Sequence, residues 1–289
     1  MKFNQLNIVA SATVVAVSLL SACSTLATAT PGEKMTPVLY PQFQDILSQS
    51  KLQVSDPAGK SGNKSEFGQE GDFTGVVSDY FYVDSNSEAL VFGMTGYKNR
   101  SEVRVLDNFK TDSADTFYHL SANLLPINPR EAVMNSDESN DSMTFLQVHN
   151  AGSEPSTRGS TGGGYIPHPL LRVVYEAERD GLTDHYWAVI KNNAMDCGSK
   201  SGNKDKQECK DAYVKFDLGA VDMKKPTDFD IIVGNSHLVI NVNGETKVDH
   251  DISYWAHLNS YFKAGVYNQF KEGTSEAHFY SLEYKIEEK

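Results

Sequence analysis

Cysteine and tryptophan are scarce in this chain, at three and two of 289 residues. Neither a second cysteine pair nor a histidine stands at zinc-ligand spacing, and the eight histidines show no metalloenzyme pattern, so no metal site is expected. Thiol catalysis is not expected either. The glycine run Gly162-Gly163-Gly164 lacks the Lys-Ser/Thr that a phosphate-binding loop needs. The polar run 135–142 lacks the glycine and closing glutamate of a helix-loop-helix calcium site and reads as a solvated turn. Positive charge is also short: 26 Lys and Arg against 38 Asp and Glu leave a net charge of −12, which argues against nucleic acid as partner. Heptads and internal repeats are absent. Helical periodicity is confined to residues 41–50, where Phe43, Ile46 and Leu47 share a face.

The remainder of the chain is patterned for strands. Candidates fall at 79–83, 89–94, 100–106, 116–124, 143–149, 170–178, 185–191, 212–218, 229–233, 237–242, 246–249, 261–267 and 277–285, separated by turn residues. Asn243-Gly244 between two apolar-alternating runs predicts a hairpin turn. The polar, glycine-bearing stretch 59–71 reads as loop. An all-β sandwich or jelly roll with a few short helices follows, and a chain of this size can form it as one domain.

The first residues have a different character. Lys2 precedes an apolar run, 8–20, too short for a membrane span, and the run ends Leu20-Ser21-Ala22-Cys23. This ending resembles a bacterial lipobox, which implies cleavage before Cys23 and lipid on its sulfur. Ser24 rather than Asp after the cysteine resembles lipoproteins passed to the outer membrane. The expected organisation is a leader at 1–22, a Ser/Thr/Ala/Pro-rich tether at 23–37 and a single domain at 38–289. Loss of Lys2 with the leader takes the net charge from −12 to −13. In an exported chain the remaining cysteines, Cys197 and Cys209, are expected to form a disulfide that staples a polar surface loop, contributing about 3 kcal/mol by chain entropy.

Three strand candidates place functional groups on a single face. In Tyr261-Phe262-Lys263-Ala264-Gly265-Val266-Tyr267-Asn268-Gln269 the odd-numbered residues offer phenols, an ammonium and an amide, while Phe262, Ala264 and Val266 face the other way. Gly265 inside a strand marks close approach of a ligand or of another backbone. Arg100, Glu102 and Arg104 share one face against Val103 and Val105, and Gln147 and His149 share one against Leu146 and Val148. Taken singly, each face is also what a solvated strand or an ion-pair ladder presents.

In order, the blocks Arg100-Ser-Glu-Val-Arg104, Gln147-Val-His149 and the nine-residue block ending at Gln269 resemble those of the alginate lyases of polysaccharide lyase family seven. The resemblance implies a β-jelly-roll sandwich whose concave sheet holds the polysaccharide. It implies alginate as substrate, no cofactor, and cleavage by β-elimination at the 4-O-glycosidic bond. It also implies that Arg100 and Gln147 hold the substrate carboxylate, that His149 is the base and that Tyr267 is the acid, or both acid and base for mannuronate. Glu102, Arg104, Lys263 and Gln269 match groove positions; Arg104 and Lys263 are expected to bind sugar carboxylates, and Glu102 to fix one of the arginines. Val148 in place of Ile leans toward mannuronate-containing blocks.

The chemistry suits those residue types. Removing the C5 proton of a uronate builds charge next to its carboxylate, which paired Arg donors and an amide can stabilise. A histidine titrating near neutrality can take the proton, and a phenol can give one to O4 or, if ionised by nearby cations, act as base. The net acidity does not oppose a polyuronate if Arg100, Arg104 and Lys263 make a basic groove in an acidic shell. Two other classes stay open: an outer-membrane sandwich that binds polyuronate without catalysis, and a hydrolase, for which Glu102 lacks a facing second carboxylate. The loop 151–165 reads either as a lid over the groove or as a plain insertion. A monomer is expected.

Overall fold

The computed structural model describes residues 32–60, 62–133, 142–152, 166–199 and 201–289. The leader, Cys23, the tether up to residue 31, the polar turn at 135–141 and the glycine loop at 153–165 lie outside the described residues.

In chain order the strands are β1 (Lys34–Met35), β2 (Ser50–Val54), β3 (Ser65–Phe67), β4 (Phe81–Asp84), β5 (Leu90–Thr95), β6 (Arg100–Val105), β7 (Phe109–Lys110), β8 (Thr116–Pro126) and β9 (Met143–Gly152). They continue as β10 (Leu171–Arg179), β11 (Leu182–Lys191), β12 (Tyr213–Ala220), β13 (Thr227–Gly234), β14 (His237–Val242), β15 (Glu245–Asp251), β16 (Asn259–Asn268) and β17 (Thr274–Glu288). Three short helices are α1 (Pro41–Ser48), α2 (Pro129–Val133) and α3 (Gln207–Lys210). One sheet runs β1-β4-β5-β17-β8-β13-β14-β15; the other runs β12-β11-β10-β9-β16-β6-β2-β3, with β7 added beside β16. The two antiparallel sheets form the expected jelly-roll sandwich.

Alternation explains which face each strand buries. In β8 Leu120, Ala122 and Leu124 point inward between half-exposed neighbours, and in β14 Leu238, Ile240 and Val242 do the same. From the second sheet Val103, Val148, Phe262, Ala264, Val266, Val173 and Ala188 enter the same core. Aromatic rings tie the layers together: Tyr186 of β11 meets Phe229 of β13 edge-on at 5.0 Å, and Phe262 of β16 meets Tyr284 of β17 at 6.0 Å. Helix α1 starts on Pro41, whose missing N–H costs nothing in a first turn, and buries Phe43, Ile46 and Leu47 as its spacing predicts.

Every strand expected from the sequence is present. Asn243 (φ 51°) and Gly244 (φ 79°) make the left-handed pair of a type I′ turn between β14 and β15. Cys197 and Cys209 are joined in a disulfide with Cα atoms 5.3 Å apart. Two stretches differ from expectation. The helix stops at Ser48, and Ser50–Val54 forms a strand against β6. Residues 65–67, read as loop, pair with β2 as an edge strand; their order comes from backbone bonding to a neighbour and not from an apolar face. The folded unit also begins inside the segment read as tether, because Lys34 and Met35 pair with Asp84 and Val83.

Gly265 marks approach of backbone. Its φ is 142°, and a Cβ there would lie 2.2 Å from the Ser101 carbonyl oxygen and 2.7 Å from the Glu102 Cα. It sits where the β16–β9 register shifts between Ala264 and Tyr267. Gly265→Ala is expected to cost about 3 kcal/mol in urea unfolding, from combined backbone strain and overpacking; a loss below about 1 kcal/mol would show that β6 and β16 can separate without penalty.

Candidate active site

Register alone assembles the site on the outward face of the second sheet. Lys263 of β16 pairs with Arg104 of β6 on one side and with Gln147 of β9 on the other, and Gln147 pairs in turn with Arg172 of β10. Tyr267 pairs with Arg100, Gly265 with Glu102, and Tyr261 with His149. Gln269 lies just past the end of β16, its N–H donating to the Ser142 carbonyl at 3.0 Å. All eight active-site and groove positions named from the sequence therefore fall on or beside three adjacent strands.

Their side chains are organised around Glu102. This carboxylate is fully buried and accepts hydrogen bonds from the Gln147 amide and the Lys263 ammonium, with an Arg100 guanidinium nitrogen at 3.5 Å. Of the two arginines it was expected to fix, Glu102 holds Arg100. Arg104 turns away, donating to the Val105 and Leu106 carbonyls (2.8 and 2.7 Å) and to the Asn108 side-chain oxygen (2.7 Å), with its guanidinium 4.1 Å from the Tyr261 ring. Lys263 is 1% exposed and points at Glu102, so in this arrangement its ammonium serves the carboxylate. Burial lowers the Lys263 pKa to about 7 against the opposing pull of Glu102.

The two titrating groups are tuned in opposite directions. Burial, then the Lys263 charge, lowers the His149 pKa to about 3, so the imidazole is neutral at any pH near 7. Its ring stacks on Tyr261 at 5.3 Å. Its Nδ1 lies 2.9 Å from the Asn150 N–H and 3.2 Å from the Asn150 carbonyl. Donation by the N–H leaves the proton on Nε2, whereas donation by Nδ1–H to the carbonyl frees Nε2 as acceptor. Tyr267 is shifted up, by burial first, with the Arg100 charge opposing; the Arg100 guanidinium lies 4.4 Å from its ring. A raised phenol stays protonated and can donate.

Two participants were given no role from the sequence, Tyr261, which it placed on the functional face, and Arg172, which it did not name. Tyr261 provides the ring on which both His149 and Arg104 lie. Arg172 donates to the Gln269 side-chain oxygen, which also accepts from Ser142 and Thr144 hydroxyls at 3.2 Å each. Its signal was available: Arg172, Val174 and Glu176 alternate with the core residues Leu171, Val173 and Tyr175, so Arg172 had to share the face of Gln147. Arg100 and Lys263 thus meet the Glu102 carboxylate, and Arg104 and Arg172 stand on strands of the same sheet, so cations collect here in a chain of net charge −12. No cluster of three or more His, Cys, Asp or Glu able to hold a metal occurs among the described residues. A cavity of about 480 Å³ lined by Asn128, Arg130, Asp184 and Met223 involves none of these residues.

The chain is similar to known proteins over most of its length. The family model described as alginate lyase matches residues 45–286. An alginate lyase of Photobacterium sp. (strain ATCC 43367) is 50% identical over 259 residues, spanning 88% of this chain and 89% of that protein. The solved structure of alginate lyase AlyC3 in complex with dimannuronate is 49% identical and superposes with a TM-score of 0.83, covering 89% of this chain and 96% of the other. Alginate lyase A1-II', a member of polysaccharide lyase family seven, shares the fold at 21% identity, with a TM-score of 0.59 over 86% of this chain and 99% of that one.

The His149 shift has a measurable consequence. Its folded pKa, about 3, lies below the ordinary 6.5, so between these values the unfolded chain binds the extra proton. The stability this group contributes is present above pH 6.5 and is lost as pH falls toward 3. Between pH 7 and pH 5, urea unfolding should show the wild type losing about 1–2 kcal/mol more than His149→Gln. Parallel losses would mean that the folded protein holds a protonated imidazole.

Proposed function

The chain belongs to the alginate lyases of polysaccharide lyase family seven, and on that premise we propose that it depolymerises alginate by β-elimination at the 4-O-glycosidic bond, favouring mannuronate-containing blocks. The observation that carries the reading is the convergence of Arg100, Gln147, His149 and Tyr267 on one sheet face through the pairing of β6, β16 and β9.

A uronate carboxylate meets Arg100 and the second N–H of Gln147, the first being committed to Glu102. These donors stabilise the charge that develops beside C5. Neutral His149, with its proton on Nδ1 and donated to the Asn150 carbonyl, takes the C5 proton on Nε2. The C5–H electron pair becomes the C4=C5 double bond, the C4–O4 bond breaks, and the Tyr267 hydroxyl gives its proton to the departing O4. The raised phenol pKa supports Tyr267 as acid. The alternative, Tyr267 as both base and acid, needs a phenolate, which burial opposes. Glu102 acts by position, holding Arg100 and Gln147, and the Lys263 charge adds to burial in keeping His149 unprotonated.

Support for mannuronate is the dimannuronate bound to the 49% identical relative. Val148 is fully buried on the core side, so it reaches no sugar directly. The Leu20-Ser21-Ala22-Cys23 sequence supports export with lipid attachment at Cys23 and anchoring to the outer membrane; labelled fatty acid should enter the wild type and be absent from Cys23→Ser.

Tyr267→Phe keeps the ring beneath Arg100 and removes only the hydroxyl. Turnover, followed by ultraviolet absorbance of the unsaturated uronate, should fall by about 10³-fold with the melting temperature unchanged. Retained turnover would remove Tyr267 as donor. Alginate binding by the wild type without any absorbance rise would favour a non-catalytic binding protein.

A further inference from the structure

Elimination asks His149 to carry a charge that its surroundings oppose. When Nε2 takes the C5 proton the imidazole becomes an imidazolium, while the C5–H electron pair stays with the sugar. Burial opposes that charge first, followed by the charges of Lys263 on β16, Arg100 on β6 and Lys64 in the loop before β3. Arg172 of β10, in register with Gln147, adds a further cation to the same sheet face. The Glu102 carboxylate is committed to Lys263, Gln147 and Arg100. The Asn150 carbonyl, 3.2 Å from Nδ1, favours the charged ring.

Tyr261 offers a second favourable contact. It pairs in register with His149, and the two rings lie nearly parallel, with 16° between their planes and 5.3 Å between their centres. A parallel stack turns the negative face of the phenol ring toward the imidazole. A cation within about 6 Å of such a ring centre is attracted to it, and more strongly where water is excluded. A neutral imidazole has no net charge to attract, so this part of the contact arises only as the proton arrives. An interaction that grows toward the transition state raises turnover rather than substrate affinity.

Strand order places Tyr261 between its two partners, since β16 lies between β9, which carries His149, and β6, which carries Arg104. The Arg104 guanidinium, 4.1 Å from the ring centre, is tied to the Val105 and Leu106 carbonyls and to Asn108. The phenol ring therefore also separates that fixed cation from the base.

We infer that Tyr261 is a positioning residue for the elimination step, its ring face holding the His149 base and stabilising the imidazolium that forms as the C5 proton leaves. The inference rests on the lyase reading above, with His149 as base. The role belongs to the ring and not to the hydroxyl.

The test alters the ring in steps in the full-length enzyme, with polymannuronate as substrate and ultraviolet absorbance of the unsaturated product as the signal. Tyr261→Leu should lower kcat about tenfold with KM within about twofold of wild type, and Tyr261→Phe should restore most of the loss. Phenylalanines with increasing numbers of ring fluorines, placed at position 261, keep the shape of the ring while weakening its negative face. Across that series kcat should fall stepwise at an unchanged melting temperature. A kcat that stays level across the series overturns the inference even where Tyr261→Leu fails to fold, and so does a loss carried wholly by KM. Wild type that releases no unsaturated product from any alginate would instead overturn the lyase reading, so the two failures are distinguishable.

Discussion

A carboxylate buried among cations is the constraint on which this molecule's functional face depends. Glu102 has no exposed surface, and it draws in an ammonium, an amide and a guanidinium carried by three different strands. Taking such charges out of water costs several kcal/mol per ion and is repaid only when the remaining donors and acceptors are paired. Here the repayment comes from register. Gly265 lets β16 lie close enough to β6 for its backbone to pass over Glu102, and the Lys263–Gln147 pairing brings both donors to the same carboxylate. Without Glu102, Lys263 and Arg100 would face one another unneutralised.

That arrangement also settles the electrostatics of the groups around it. His149 is neutral because it is buried and because Lys263 stands near it, while Tyr267 is held protonated by burial despite Arg100. An imidazole that has lost its proton and a phenol that has kept its own are the pair that general base and general acid roles require. The acidic composition of the chain is compatible with this, since a local field is set by the few charges that share a low-dielectric face and not by the total.

Much of the architecture could be read from residue order. Alternation located every expected strand from 79 onward, because each buries one face in a common core. It failed at Ser65–Phe67, where the strand is made by pairing to β2 and has no apolar face to betray it, and at Ser50–Val54, where a helix and a strand meet within two residues. The site was legible as a set of types on shared faces. Arg172 escaped because it is the one charged residue within 170–175, a stretch that otherwise reads as core.

The order of residues by itself determined which side chains face together, since a strand's period of two leaves no freedom once one face must be apolar. It also determined the hairpin at Asn243-Gly244, where only a left-handed pair closes the turn. What the tertiary structure alone decided is partnership. That Lys263 serves Glu102, and that Arg172 reaches both Gln269 and the Tyr213 ring, depend on which strands become neighbours in the sheet. The Gln147 and Lys263 bonds to Glu102 join residues 45 and 161 positions apart, and no local pattern encodes them because the energy that selects them exists only after the sheet has closed.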